Sequence, residues 1–105
     1  MSNVPGITQL LRGVLVTGAG SAVRAKTPAT FQASGVTSAG AGAVAVAVQV
    51  SNDGVNWLTL GTISLVLSTT TATDGFASDA PWAFVRGNVT SISGTDATVS
   101  LSMGA

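Results

Sequence analysis

Between Ala43 and Val50 the chain alternates without a break. Val44, Val46, Val48 and Val50 fall on one parity, and Ala43, Ala45, Ala47 and Gln49 on the other. A period of two is the pattern of a β-strand, whose successive side chains point to opposite faces. At ~3.3 Å per residue this strand is roughly 26 Å long. Its second face is small rather than charged, which predicts that something packs there too. Val99, Leu101 and Met103 alternate with Thr98, Ser100 and Ser102, the pattern of a strand with one buried and one wet face. Phe84, Arg86 and Asn88 oppose Val85, Gly87 and Val89 in the same way.

The stretch from Trp57 to Leu67 changes phase. Leu58 and Leu60 share one parity, whereas Ile63, Leu65 and Leu67 share the other, with Gly61-Thr62 at the switch. This predicts a bulge, or a short turn between two strands. Turn chemistry recurs at Ser34-Gly35, Ser38 to Gly42, Asn52-Asp53-Gly54, Asp74-Gly75 and Ser93-Gly94-Thr95-Asp96. Short strands between such turns predict an all-β fold, an antiparallel β-sandwich or jelly roll. Residues 1–30 read differently. Strand-like Gly13 to Thr17 follows a short apolar segment, Ile7 to Leu11, and precedes a Gly/Ala/Ser stretch ending at Pro28. The expectation is an extended N-terminal arm over residues 1–12, with an ordinary frayed terminus as the equal alternative, and a single sandwich domain over 13–105.

Composition narrows the functional classes. Four basic residues (Arg12, Arg24, Lys26, Arg86) balance four acidic ones (Asp53, Asp74, Asp79, Asp96), for a net charge of zero in 105 residues. A typical soluble domain carries roughly a quarter charged residues. Ser, Gly, Ala, 14 Thr and 14 Val take their place. A neutral surface repels nothing, other copies of itself included. Four scattered cations build no phosphate-tracking patch, so nucleic acid is not an expected partner. The longest apolar run, Ala43 to Val48, falls far short of the ~20 residues a membrane helix needs. The first eleven residues lack a basic segment followed by a long apolar stretch, so no secretory signal is expected.

Candidate chemistry is thin. The chain has no Cys and no His, which removes the usual zinc ligands and nucleophile–base pairs. Each of the four aspartates sits beside a glycine or in a polar turn, where a carboxylate commonly accepts bonds from its own backbone. Calcium needs six to eight oxygens, more than Asn52-Asp53 or Asp74 with Asp79 can supply. Val14 to Val23, VLVTGAGSAV, resembles the opening of the dinucleotide-binding dehydrogenases, where a strand feeds a glycine turn and a helix. The resemblance stops there. The third glycine position holds Ala22 or Arg24, Pro28 halts any helix after about two turns, and no Tyr is present for the acid–base step. The expectation is therefore no enzyme, no cofactor, no metal and no catalytic residue.

A more informative constellation follows the longest strand. Ser51-Asn52-Asp53-Gly54-Val55-Asn56-Trp57 is followed about 25 residues later by Pro81-Trp82-Ala83-Phe84-Val85-Arg86. The pair resembles the S-x-D-G-x-x-W and aromatic-Val-Arg elements of discoidin-like and galactose-binding-like jelly rolls. That resemblance implies a hairpin turn at S-x-D-G, with its Trp packed over the edge of the core. Asn52-Asp53-Gly54 can supply the positive φ of such a turn. Arg86, alone on a neutral strand, could stack on Trp82 or pair with Asp79.

From Val48 to Ala105 the chain also resembles the small β-sandwich structural proteins of tailed bacteriophages. The likeness runs through VQVSNDGVNW, DGFASDAPWAFVRGNV and the glycine-turned final strand ending Met103-Gly104-Ala105. It implies a virion component without catalysis: a capsid decoration or cement protein on the capsid surface, bridging neighbouring major capsid subunits. The expected partners are the major capsid protein and further copies of this chain. No membrane or nucleic-acid partner is expected. Ile7, Leu10, Leu11 and Arg12 on the arm, with Trp57, Trp82 and Arg86, are the candidate interface residues. The alternative is a carbohydrate-binding or adhesive module of a phage tail or surface structure, with Trp57, Trp82, Asp79 and Asn56 lining the site.

Overall fold

A computed structural model describes residues 7–26 and 28–104. All of its regular structure is strand: β1 (Ile7–Val14), β2 (Gly18–Ala19), β3 (Val23–Arg24), β4 (Ala29–Val36), β5 (Ala39–Ser51), β6 (Leu58–Leu67), β7 (Ala72–Ser78), β8 (Phe84–Thr95) and β9 (Thr98–Gly104). One sheet has the order β1-β9-β4-β7. The other has the order β2-β8-β5-β6, with β3 also on β8. Every pairing is antiparallel.

The pairings are nested. β5 pairs with β6, β4 with β7, β2 and β3 with β8, and β1 with β9. The chain therefore doubles back once, at the β5–β6 hairpin, as one long antiparallel ribbon. Additional β4–β9 and β5–β8 pairing rolls that ribbon into two sheets. This is the jelly-roll form of the antiparallel sandwich, and it follows from strands that each present one apolar face.

That apolar face is the one expected. Val44, Val46, Val48 and Val50 are all at most 2% exposed, and face Val99, Leu101, Met103 and Phe31 of the opposite sheet within one core. Val85 and Val89 of β8 and Ile63, Leu65 and Leu67 of β6 complete it. On the outer face of β5, Ala47 is buried too, flanked in register by Asn88 of β8 and Thr62 of β6. The phase change in β6 is a bulge. Gln49 lies opposite Thr59 and Val48 opposite Gly61, so Leu60 is the extra residue within one continuous strand.

The N-terminal expectation needs correction. Residues 7–12 are not an arm: they belong to β1, paired along β9, and residues 1–6 lie outside the described residues. Leu10 and Leu11 are each 5% exposed and belong to the core. A register shift between Gln9 and Leu11 buries two consecutive leucines, which strict alternation does not allow. Leu11 reaches across to β8, where a Cβ added at Gly87 would lie 2.9 Å from Leu11 Cδ1 and 2.7 Å from Leu101 Cδ2. Nor is Gly13 to Thr17 a strand. Gly13 takes φ +57°, β1 ends at Val14, and Leu15 and Val16 lie exposed where the chain crosses from one sheet to the other.

Truncating Leu11 to Ala should therefore destabilise the sandwich by about 2–5 kcal/mol, the range for a buried leucine. Urea unfolding followed by tryptophan emission measures this. A dispensable arm would instead leave the midpoint unchanged.

Candidate functional site

The β5–β6 connection is built from its own side chains. Ser51, 1% exposed, donates its hydroxyl to Asp53 Oδ1 at 2.8 Å. Its Oγ accepts from the backbone N–H groups of Asp53 (3.2 Å) and Gly54 (2.9 Å). Asp53 Oδ1 accepts from Val55 N and Asn56 N, both at 2.8 Å, and Oδ2 accepts from Asn56 Nδ2 at 2.9 Å. Gly54 takes the positive φ (+74°) that the turn needs. These bonds hold the Asp53 carboxyl well below the usual carboxylate range; the Asn56 and Val55 N–H groups contribute most. Asn52 Oδ1 accepts from Ala83 N at 3.1 Å, which ties the hairpin to the segment entering β8.

The hairpin delivers Trp57 to the outer face of the five-stranded sheet. There the Arg86 guanidinium carbon lies 4.4 Å from the centroid of the Trp57 ring. Arg86 Nε donates to Gln49 Oε1 at 2.8 Å, and the two residues are register partners on β8 and β5. Arg86 is half-buried, set over an indole and hydrogen-bonded to an amide. The expectation that it meets Trp82 or Asp79 is thus corrected. Trp82 packs against the core instead, and Asp79 is exposed.

Two recesses lie elsewhere among the described residues. One of about 330 Å³ is lined by Leu15, Ile92, Ser93, Gly94, Asp96 and Ala97, and a smaller one of about 140 Å³ by Ile7, Thr30, Gln32, Ser102 and Gly104. Asp96 is the one ionisable side chain lining either. Among the described residues no group of three or more acidic side chains gathers where it could hold a metal ion.

The broad faces are distinctive. On the four-stranded sheet Gln32 pairs with Ser102, Ser34 with Ser100, and Gln9 with Ser102 from the other side. On the five-stranded sheet the outward rows are Ala43, Ala45, Ala47 and Gln49, then Thr62, Ser64 and Val66, then Arg86 and Asn88. Arg86 is the one charge among these positions.

No family model matches the chain, and no curated protein matches it. Among solved structures it is similar to PBSX exported protein XepA, with a TM-score of 0.51 and 9% identity over 97% of this chain. The chain spans 36% of that protein's length. The likeness is one of fold.

The seven sequence-predicted interface residues do not converge. Ile7 is 61% exposed at the start of β1, opposite Gly104, and Arg12 is exposed on the same strand. Leu10 and Leu11 are in the core and unavailable to a partner. Trp57 and Arg86 do meet, while Trp82 belongs to the core margin. Gln49 was missed. Its signal was the polar interruption of an otherwise Ala/Val strand, which gains meaning only once Arg86 is placed opposite.

Two outcomes are expected. Removing the guanidinium by Arg86→Ala in a Trp82→Phe background should shift the remaining Trp57 emission to the red and raise its iodide quenching; unchanged spectra would dissolve the stack. The Asp53 carboxylate contributes stability fully above its unfolded pKa of about 3.9, and that contribution is lost as pH falls below it. The stability difference between the wild type and Asp53→Asn should accordingly stay constant from neutral pH to about 4 and shrink at lower pH. A difference that does not vary with pH would contradict the hydrogen-bonded carboxylate.

Proposed function

We propose that this chain is a non-enzymatic virion structural protein, a capsid decoration or cement protein that bridges neighbouring major capsid subunits on the phage head. The carrying observation is its form. The sandwich is a plate of 39 × 37 × 18 Å whose two wide faces carry mainly Ser, Thr, Ala and Gln, with Val66, Asn88 and Arg86 among the outward positions named above. Such a plate binds through area and repetition. Modest contacts multiplied by the symmetry of a shell sum to firm attachment without one strong site. The structural likeness to an exported protein of phage PBSX is in keeping with a phage origin.

The same geometry weighs against sugar recognition. Sugar sites use an open aromatic face beside free planar polar groups. Here the guanidinium of Arg86 covers one face of Trp57, Trp82 packs against the core, and the Asn56 amide is engaged by Asp53. Turnover chemistry would need paired acid–base groups, and the recesses described bring together no such pair.

The experiment is co-sedimentation of the purified chain with assembled shells of the phage that encodes it. Binding at a fixed copy number per capsomer is expected, and because the contacts are apolar and hydrogen-bonded it should persist from low to moderate salt. Absence of binding, or its steep loss over that salt range, would overturn the assignment.

A further inference from the structure

A sheet edge offers unpaired backbone N–H and C=O groups to any passing strand, and proteins normally guard it with charge, proline, bulges or brevity. Three of the four edges here are guarded. β1 has two register shifts and carries Arg12. β7 carries Asp74 opposite Ala33, on the core-side parity. β2 and β3 are two residues each.

The fourth edge, β6, is different. It pairs with β5 alone among the described residues, and its single bulge lies near its start, at Leu60. From Gly61 to Leu67 it runs as a regular strand with no charge and no proline. Its outward side chains Thr62, Ser64 and Val66 are all exposed, Val66 by 82%. β7, which follows in the chain, bonds to β4 in the other sheet and leaves β6 unpaired on this side.

We propose that two copies of this chain pair through β6, antiparallel about a two-fold axis at Ser64, joining their five-stranded sheets into one. The occupant is argued from the strand itself. Two-fold pairing sets a strand beside its own sequence, so a charge at the axis would face its like and one near the axis would sit close to its symmetry mate; this segment has none. Ser64 is the centre of the regular segment, so an axis there uses all of it. It also sets Thr62 of one copy against Val66 of the other, a β-branched pair suited to cross-strand packing. A chain of zero net charge adds no long-range repulsion. The pairing does not depend on the virion assignment: it concerns the free protein, and a failure of shell binding leaves it standing.

Sedimentation of the full chain over a wide concentration range tests it. The wild type should show a monomer–dimer equilibrium. Ser64→Lys and Ser64→Asp place like charges opposite each other, and each alone should weaken self-association about fivefold. Mixing the two variants should restore dimers, because unlike charges then face across the axis. Val66→Lys, at the most exposed position, should also weaken pairing while the circular dichroism stays that of the wild type. The chain has no cysteine, so Ser64→Cys introduces a single thiol. It should oxidise to a disulfide-linked dimer, and Thr30→Cys on the other sheet should not. A wild type monomeric at every concentration would overturn the proposal. So would a dimer indifferent to both charges, or a mixture that fails to re-form dimers.

Discussion

The packing of two half-apolar sheets against each other is the constraint on which everything else rests. Each strand of this chain has one water-shunning parity, and none can bury it alone. The valine row of β5 is the centre of the solution. Hydrogen-bonded on one side to β6 and on the other to β8, it presents four buried valines to Phe31, Leu101 and Met103 across the core. Burial of such side chains is worth roughly 1.5–3 kcal/mol each, and no disulfide supplements it. The nested pairing lets every strand bury its apolar side while satisfying its backbone in antiparallel ladders.

The tip of that nested ribbon is where polar groups take over. Ser51, Asp53 and Asn56 bond one another and the turn backbone, so the reversal of direction is held locally rather than by the core. Among the described residues no buried side-chain nitrogen or oxygen lacks a partner. The turn places Trp57 under Arg86, and an indole covered by a guanidinium is a structural element rather than a platform for a ligand. Trp57 and Asn56, two of the residues that first suggested a binding site, are thus engaged within the hairpin and against the sheet.

What remains outward is extensive and almost uncharged. The faces of both sheets and the β6 edge share the same chemistry: hydroxyls, small apolar groups and amides, with few charges to dictate a partner. Protein surfaces of this kind gain from repetition rather than from a single hot spot. The proposed role in an assembly and the proposed pairing of copies both rest on that one property, and they draw on different parts of the molecule. The first uses the broad faces and the second the strand edge.

How much was legible in the chain can be judged from particular residues. The parity of Ala43 to Val50, of Thr98 to Met103 and of Phe84 to Val89 stated which side chains go inside, because a strand has a fixed period of two. The switch at Gly61 announced a bulge or a short turn, of which the structure has the bulge, and Asp53-Gly54 announced the hairpin turn. Leu10 and Leu11 misled because a bulge makes two neighbours face one way, which no periodic rule expresses. The partner of Arg86 was equally out of reach: Gln49 and Trp57 lie 37 and 29 positions upstream, and β5–β8 register alone brings them together. Local pattern thus determined most of the buried faces and the Asp53-Gly54 turn, whereas Ser34-Gly35 and Asp74-Gly75, which read as turns, lie inside β4 and β7. Which strands pair, which edge stays open and what covers each tryptophan were decided by tertiary packing, since those contacts join residues whose separation along the chain leaves no trace in sequence.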